Sequence, residues 1–217
     1  NMAREHFQNL LRGLEQELVA MGEMVISAID RSIQALKNVD KVEAERIIAD
    51  DDLINRRRWE IENQCIQLFA TQQPVAGDLR EIVSFMDLIT NLERMGDHAK
   101  GIATIVVRHD QKPLLKPLID VPRMAAKASE MIQKSLTAFI TQDVAAARSI
   151  IEMDNEVDAL YDQIFRELLT YMMQDPKTIT RAVYLIWVSH NLERIADRVT
   201  NICERIIFMV TGEISGN

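Results

Sequence analysis

The residues best placed to do chemistry come in two matching blocks. "NLERMGDHA" runs from Asn91 to Ala99, and "NLERIADRV" runs from Asn191 to Val199. On a helix each residue turns by about 100°, so Glu93 and Asp97 lie side by side on one flank, away from a face marked by Leu92, Gly96, Ala99 and Ala103. In the second copy the stripe is longer, taking in Glu193, Asp197, Asn201 and Glu204. The preceding helix carries a similar row, Asp154, Asp158 and Asp162 at steps of four, against Asp51 and Asn55 in the first copy. Like charges four residues apart cost a helix a few tenths of a kcal/mol per pair. Two readings follow. A cation with oxygen ligands offsets the repulsion, and carboxylate clusters suit magnesium, manganese, calcium and iron. Alternatively the acids form solvated faces, neutralised by Arg94, Arg194 and Arg198.

Other chemistries are excluded or thin. No Glu is followed three residues later by His, which removes the Glu-x-x-His pattern of di-iron bundles. Phosphate-loop, nucleophile-elbow and zincin signatures are missing. His98, next to Asp97, reads either as a ligand or base or as a surface residue. His190 precedes the second block, so the two histidines do not repeat each other. No catalytic residue is assigned, and the chain reads as a non-enzyme; the alternatives are a metal-free helical adaptor and a carboxylate-bridged metalloenzyme, for which His98 is the one available base.

The elements that position these residues are helices throughout. Composition is 47% hydrophobic and 27% charged with 7 Gly and 5 Pro, a helical globular profile. Leu10, Leu14, Leu18, Met21, Val25, Ala28, Ile29, Ile33 and Leu36 recur at helical steps. Asp40 caps a second helix over 41–70, with Glu43 at the capping-box position, and a third covers 75–107. Pro113, Pro117 and Pro122 punctuate the stretch that follows, read as a linker. A helix over 123–140 comes next, then one over 144–173 capped by Asp143, and a last helix opened by Asp175-Pro176. Methionines such as Met86, Met95, Met124 and Met131 fall in helical patterns as core filler.

The order is a duplication. Asp40, Ile47, Ile48 and Asp51 match Asp143, Ile150, Ile151 and Asp154 at a separation of 103 residues, and the NLER blocks match at 100. The difference falls between the second and third helices of each copy, where "TQQPVAG" faces the shorter "QDPK". The expected fold is all-α: one three-helix bundle over 2–110, a linker over 111–117 and a second bundle over 118–217.

Net charge is −8, and the only basic run, Arg56–Arg58, follows Asp50–Asp52 at salt-bridging spacing, so nucleic-acid binding is not expected. The longest uncharged apolar stretch, Ala182 to Ser189, is too short to cross a bilayer, and no direct membrane insertion is expected. Asn1 ahead of Met2 is set aside as an expression scar, and no leader is recognised. Cys65 and Cys203, one per half, suit buried thiols in a reducing cytoplasm.

"PVAGDLREIVSFMDLITNLERMGDHA" and "NLERIADRVTNICERIIFMVTGE" resemble the PhoU family of bacterial phosphate-uptake regulators. The resemblance covers residues 7–213, and the doubled LER-x-x-D block is its most specific part. It implies a cytoplasmic, often dimeric adaptor that represses phosphate-starvation signalling. Its implied partners are the ATPase subunit of a phosphate ABC transporter and a phosphate-sensing membrane histidine kinase. It also implies metal ions (iron in some members; manganese, zinc or magnesium as alternatives) at Glu/Asp-x-x-x-Asp motifs. Those motifs fall on Glu93, Asp97, Glu193 and Asp197, with Asp51, Asn55, Asp154 and Asp158 facing them. The first copy departs from the second: Lys100 stands where the second has Thr200, and Asn55 where it has Asp158. The first site is therefore poorer in ligands. Arg80, in "DLRE", reads as an interface contact or an internal ion pair with a carboxylate.

Overall fold

A computed structural model describes residues 2–110 and 113–214. It contains six long helices: α1 (Met2–Asn38), α2 (Lys41–Gln72), α3 (Ala76–Arg108), α4 (Asp120–Thr141), α5 (Val144–Gln174) and α6 (Ile179–Thr211). A single 3₁₀ turn, Pro176–Thr178, leads into α6. Among the described residues there is no strand, and the expected all-α architecture of two repeated three-helix units is what forms.

The repeated turns show why. Val39 follows α1 in the left-handed region (φ 47°), and Gln142 follows α4 in the same region (φ 54°). Each closes its helix with the same pair of reverse hydrogen bonds. Asp40 N donates to Ala35 O and Val39 N to Leu36 O; Asp143 N donates to Ala138 O and Gln142 N to Phe139 O. These satisfy carbonyls the helix end would otherwise leave free. The next residue then caps the following helix. Asp40 accepts from Glu43 N at 3.0 Å and Asp143 from Ala146 N at 2.9 Å. Two residues thus stop one helix and start another, which forces α1 against α2, and α4 against α5, antiparallel.

Two boundaries differ from the periodic pattern. Helix α1 starts at Met2, well before Leu10, because Phe7 is buried and extends the apolar face by another turn. Helix α4 starts at Asp120 and contains Pro122, which is tolerated because a first-turn residue needs no amide partner. Of the expected linker over 111–117, residues 111 and 112 lie outside the described residues; 113–117 carry no helix.

The two units share one apolar core, with α3 against α6 and α1 against α4. Phe85 of α3 meets Phe139 of α4 edge to face, ring centroids 4.9 Å apart. Gly22 lets α1 close on α4: a Cβ there would collide with the Leu136 side chain. Both cysteines are buried and unpaired, and burial pushes each thiol up to about 12. No helix among the described residues is long and apolar enough to cross a membrane. Among the described residues Arg80 forms no ion pair with a carboxylate. Its Nε donates to Met209 O at 3.3 Å, satisfying a carbonyl near the end of α6.

Candidate functional site

Helix α5 presents Asp154 and Asp158 four residues apart, and α6 presents Glu193 and Asp197 four residues apart, along a packed pair. Asp154, Asp158 and Asp197 each bring a carboxylate oxygen within 4.8 Å of the others. Among the described residues no other set of three His, Cys, Asp or Glu side chains converges this way. Asp154 Oδ1 is buried without a hydrogen-bond partner. Burial, then the charges of Asp158, Asp197 and Glu193, push the Asp154 carboxyl up to about 6. Burial and then neighbouring carboxylates also raise Glu193 and Asp197. Little positive charge relieves them: Arg194 Nη1 stands 3.9 Å from Asp197 Oδ2, and both side chains are exposed. Such a pair is worth little.

The donor set is all oxygen, dense, and holds an orphaned acceptor. That fits a hard or borderline cation.

Asp162, the next acid of the row, turns outward to Arg166 at 3.1 Å. Asn201 and Glu204 leave the cluster as well. Glu204 lies about 10 Å further along the α6 axis than Asp197, where α6 faces α3. There the two residues line an open groove with Asp87, Asn91, Arg198 and Arg205. The step of about 100° per residue keeps them on the stripe of Asp197, and the crossing of α5 and α3 over α6 divides that stripe.

The first repeat has the same positions in a different state. Asp51 is 3% exposed; its Oδ2 accepts from Asn55 Nδ2 at 3.5 Å and lies 3.9 Å from Lys100 Nζ. Glu93 Oε2 sits 2.8 Å from Arg58 Nε, and Asp97 is exposed.

His98 is not the surface residue that is one of its two readings. It is half-buried, and its Nδ1 lies 3.0 Å from Asn191 Oδ1 across the α3–α6 contact. Asn191 Nδ2 donates to Trp187 O at 2.9 Å, which fixes the amide with its oxygen toward the imidazole. The two copies of the block therefore meet each other. No local sequence signal marks this contact, because it depends on how α3 and α6 cross.

Geometry alone defines a duplicated, carboxylate-bearing helical bundle. The model of the PhoU domain matches residues 18–106 and again 121–206. The phosphate-specific transport system accessory protein PhoU homolog of Clostridium acetobutylicum is 38% identical over 213 residues, covering 98% of this chain and 97% of that one. Its counterpart in Aquifex aeolicus is 39% identical over 204 residues, covering 94% and 92%. The crystal structure of PhoU from Pseudomonas aeruginosa superposes with a TM-score of 0.88 at 34% identity, over 95% of this chain and 100% of that chain. The phosphate transport system regulatory protein PhoU from Streptococcus pneumoniae gives 0.89 at 33%, over 97% and 100%. The chain belongs to the PhoU family.

Proposed function

We propose that this chain is a regulatory accessory subunit of phosphate transport that works without catalysis of its own. Full-length similarity to proteins named as phosphate transport accessory and regulatory proteins carries this reading. The partners it implies are a phosphate ABC transporter's ATPase subunit and a phosphate-sensing histidine kinase, engaged from the cytoplasm by a homodimer.

A metal ion at the second repeat belongs to the same proposal. Asp154, Asp158 and Asp197 would hold it, with Glu193 beside them, and the orphaned Asp154 oxygen supports it. Iron, manganese, zinc and magnesium are the candidate ions, and an oxygen-only set favours the harder of them. When bound, the ion supplies charge compensation and a tie between α5 and α6. Phosphate does not suit this acidic surface by itself; a cation must intervene. Sensing by way of partners follows from that charge. The hydrogen bond from His98 to Asn191 supports a reading without a catalytic base.

Pull-down of the transporter ATPase from phosphate-replete and phosphate-starved cells tests the reading. Association that changes with phosphate supply is expected; no association at either level contradicts the adaptor.

A further inference from the structure

The duplication supplies its own control for the metal site. In its register Lys100 corresponds to Thr200, and Arg58 to Tyr161. The correspondence is physical as well as numerical. Arg58 sits 2.8 Å from Glu93, while the Tyr161 phenol is raised by burial and then by the charge of Glu193, the matching acid. At both positions the first repeat has a fixed cation where the second has a neutral hydroxyl. Gly96 completes the difference. A Cβ there would stand 3.3 Å from Asp51 Oδ1, so glycine admits that carboxylate against α3. The second repeat has Ala196, and Asp154 stays partly exposed.

We propose that in the first repeat Lys100 and Arg58 stand in for a metal ion, so that the chain takes metal only at its second repeat. The inference rests on the metal reading above for the second site alone. A tethered ammonium and guanidinium are present at high effective concentration and cannot be washed out. They stand beside Glu93 Oε2 and Asp51 Oδ2 while Asp51 Oδ1 and Asn55 Oδ1 stay buried without a hydrogen-bond partner, so they act by charge, repelling an incoming cation. The carboxylates of the first repeat do not converge as the second set does. Ligand poverty is a competing cause, since Asn55 replaces the acid found at Asp158.

The experiment separates the two causes using manganese(II) alone, counted by calorimetry on chelator-stripped full-length protein. All first-site variants carry Asp154→Asn/Asp197→Asn to silence the second site. In that background no manganese should bind, and none should bind when Asn55→Asp is added, because both cations remain. Adding Arg58→Tyr and Lys100→Thr should then create one site per chain, with a melting temperature that rises with manganese. Binding by the background or by Asn55→Asp alone would overturn the proposal, as would no binding by the full set. Should the full set fail to melt cooperatively, Asn55→Asp/Lys100→Gln keeps the Arg58–Glu93 pair. It should then bind manganese where Asn55→Asp binds none, and no binding would overturn the proposal. The unsubstituted protein, titrated in parallel, reports on the second-repeat reading separately: absence of manganese there sinks that reading, and the grafted set still decides this one.

Discussion

His98 of α3 and Asn191 of α6 face each other with Nδ1 and Oδ1 3.0 Å apart, joining one copy of the repeated block to the other. The amide oxygen can only accept, so the neutral imidazole carries its proton on Nδ1 and donates. Burial lowers the imidazole's pKa, and Arg198 and Arg194 lower it further, against the opposing effect of Asn191.

A depressed folded-state pKa means the unfolded chain binds the proton more readily. Stability from this contact is full at neutral pH and declines as pH falls below about 6.5. His98→Gln should flatten the loss of melting temperature between pH 7.5 and 5.5. An unchanged slope would show that His98 does not couple to folding.

Asp154 acts in the opposite sense. Its carboxyl is raised to about 6, so the stability it allows is complete below the unfolded value of 3.8 and is lost as pH rises through about 6. In metal-free protein at pH 7.5, Asp154→Asn should stabilise. About 1 kcal/mol is expected, because the side chain is partly solvated, or a few degrees of melting temperature. A lower melting temperature would mean the carboxylates are already compensated.

Two glycines of α1 should behave in opposite ways. Gly13 is exposed with nothing within 4 Å of a prospective Cβ, so Gly13→Ala should add about 0.5–1 kcal/mol through helix propensity. At Gly22 a side chain must displace the tip of Leu136 in the buried α1–α4 crossing, so a residue as large as that in Gly22→Leu should cost about 1–3 kcal/mol by overpacking. Chemical denaturation measures both; a neutral Gly22→Leu would mean the two repeats do not close tightly there.

Much of this was readable from one sequence because the determinants are local. Asp40 and Asp143 announce their helices by residue type, and the chain uses both as caps. Of the apolar steps read from Leu10 to Leu36, Leu14, Leu18, Met21, Val25, Ile29, Ile33 and Leu36 are buried, whereas Leu10 is exposed and its neighbour Leu11 takes the buried place. The site was legible only in part. Spacing puts Asp197, Asn201 and Glu204 on one stripe, but crossing helices divide it, giving Asp197 to α5 and Asn201 and Glu204 to α3. Which cation meets which acid depends on packing too. Lys100 stands out against Thr200 in the sequence, whereas its approach to Asp51 depends on how α2 and α3 cross.

Metal content of the protein purified without chelator, beside the Asp154→Asn/Asp197→Asn variant, tests the account most directly. One equivalent of iron, manganese, zinc or magnesium per chain is predicted, and it should vanish in the variant. No metal in either protein, with a melting temperature indifferent to added ions, would contradict the account and leave the acidic cluster a solvated face of the bundle.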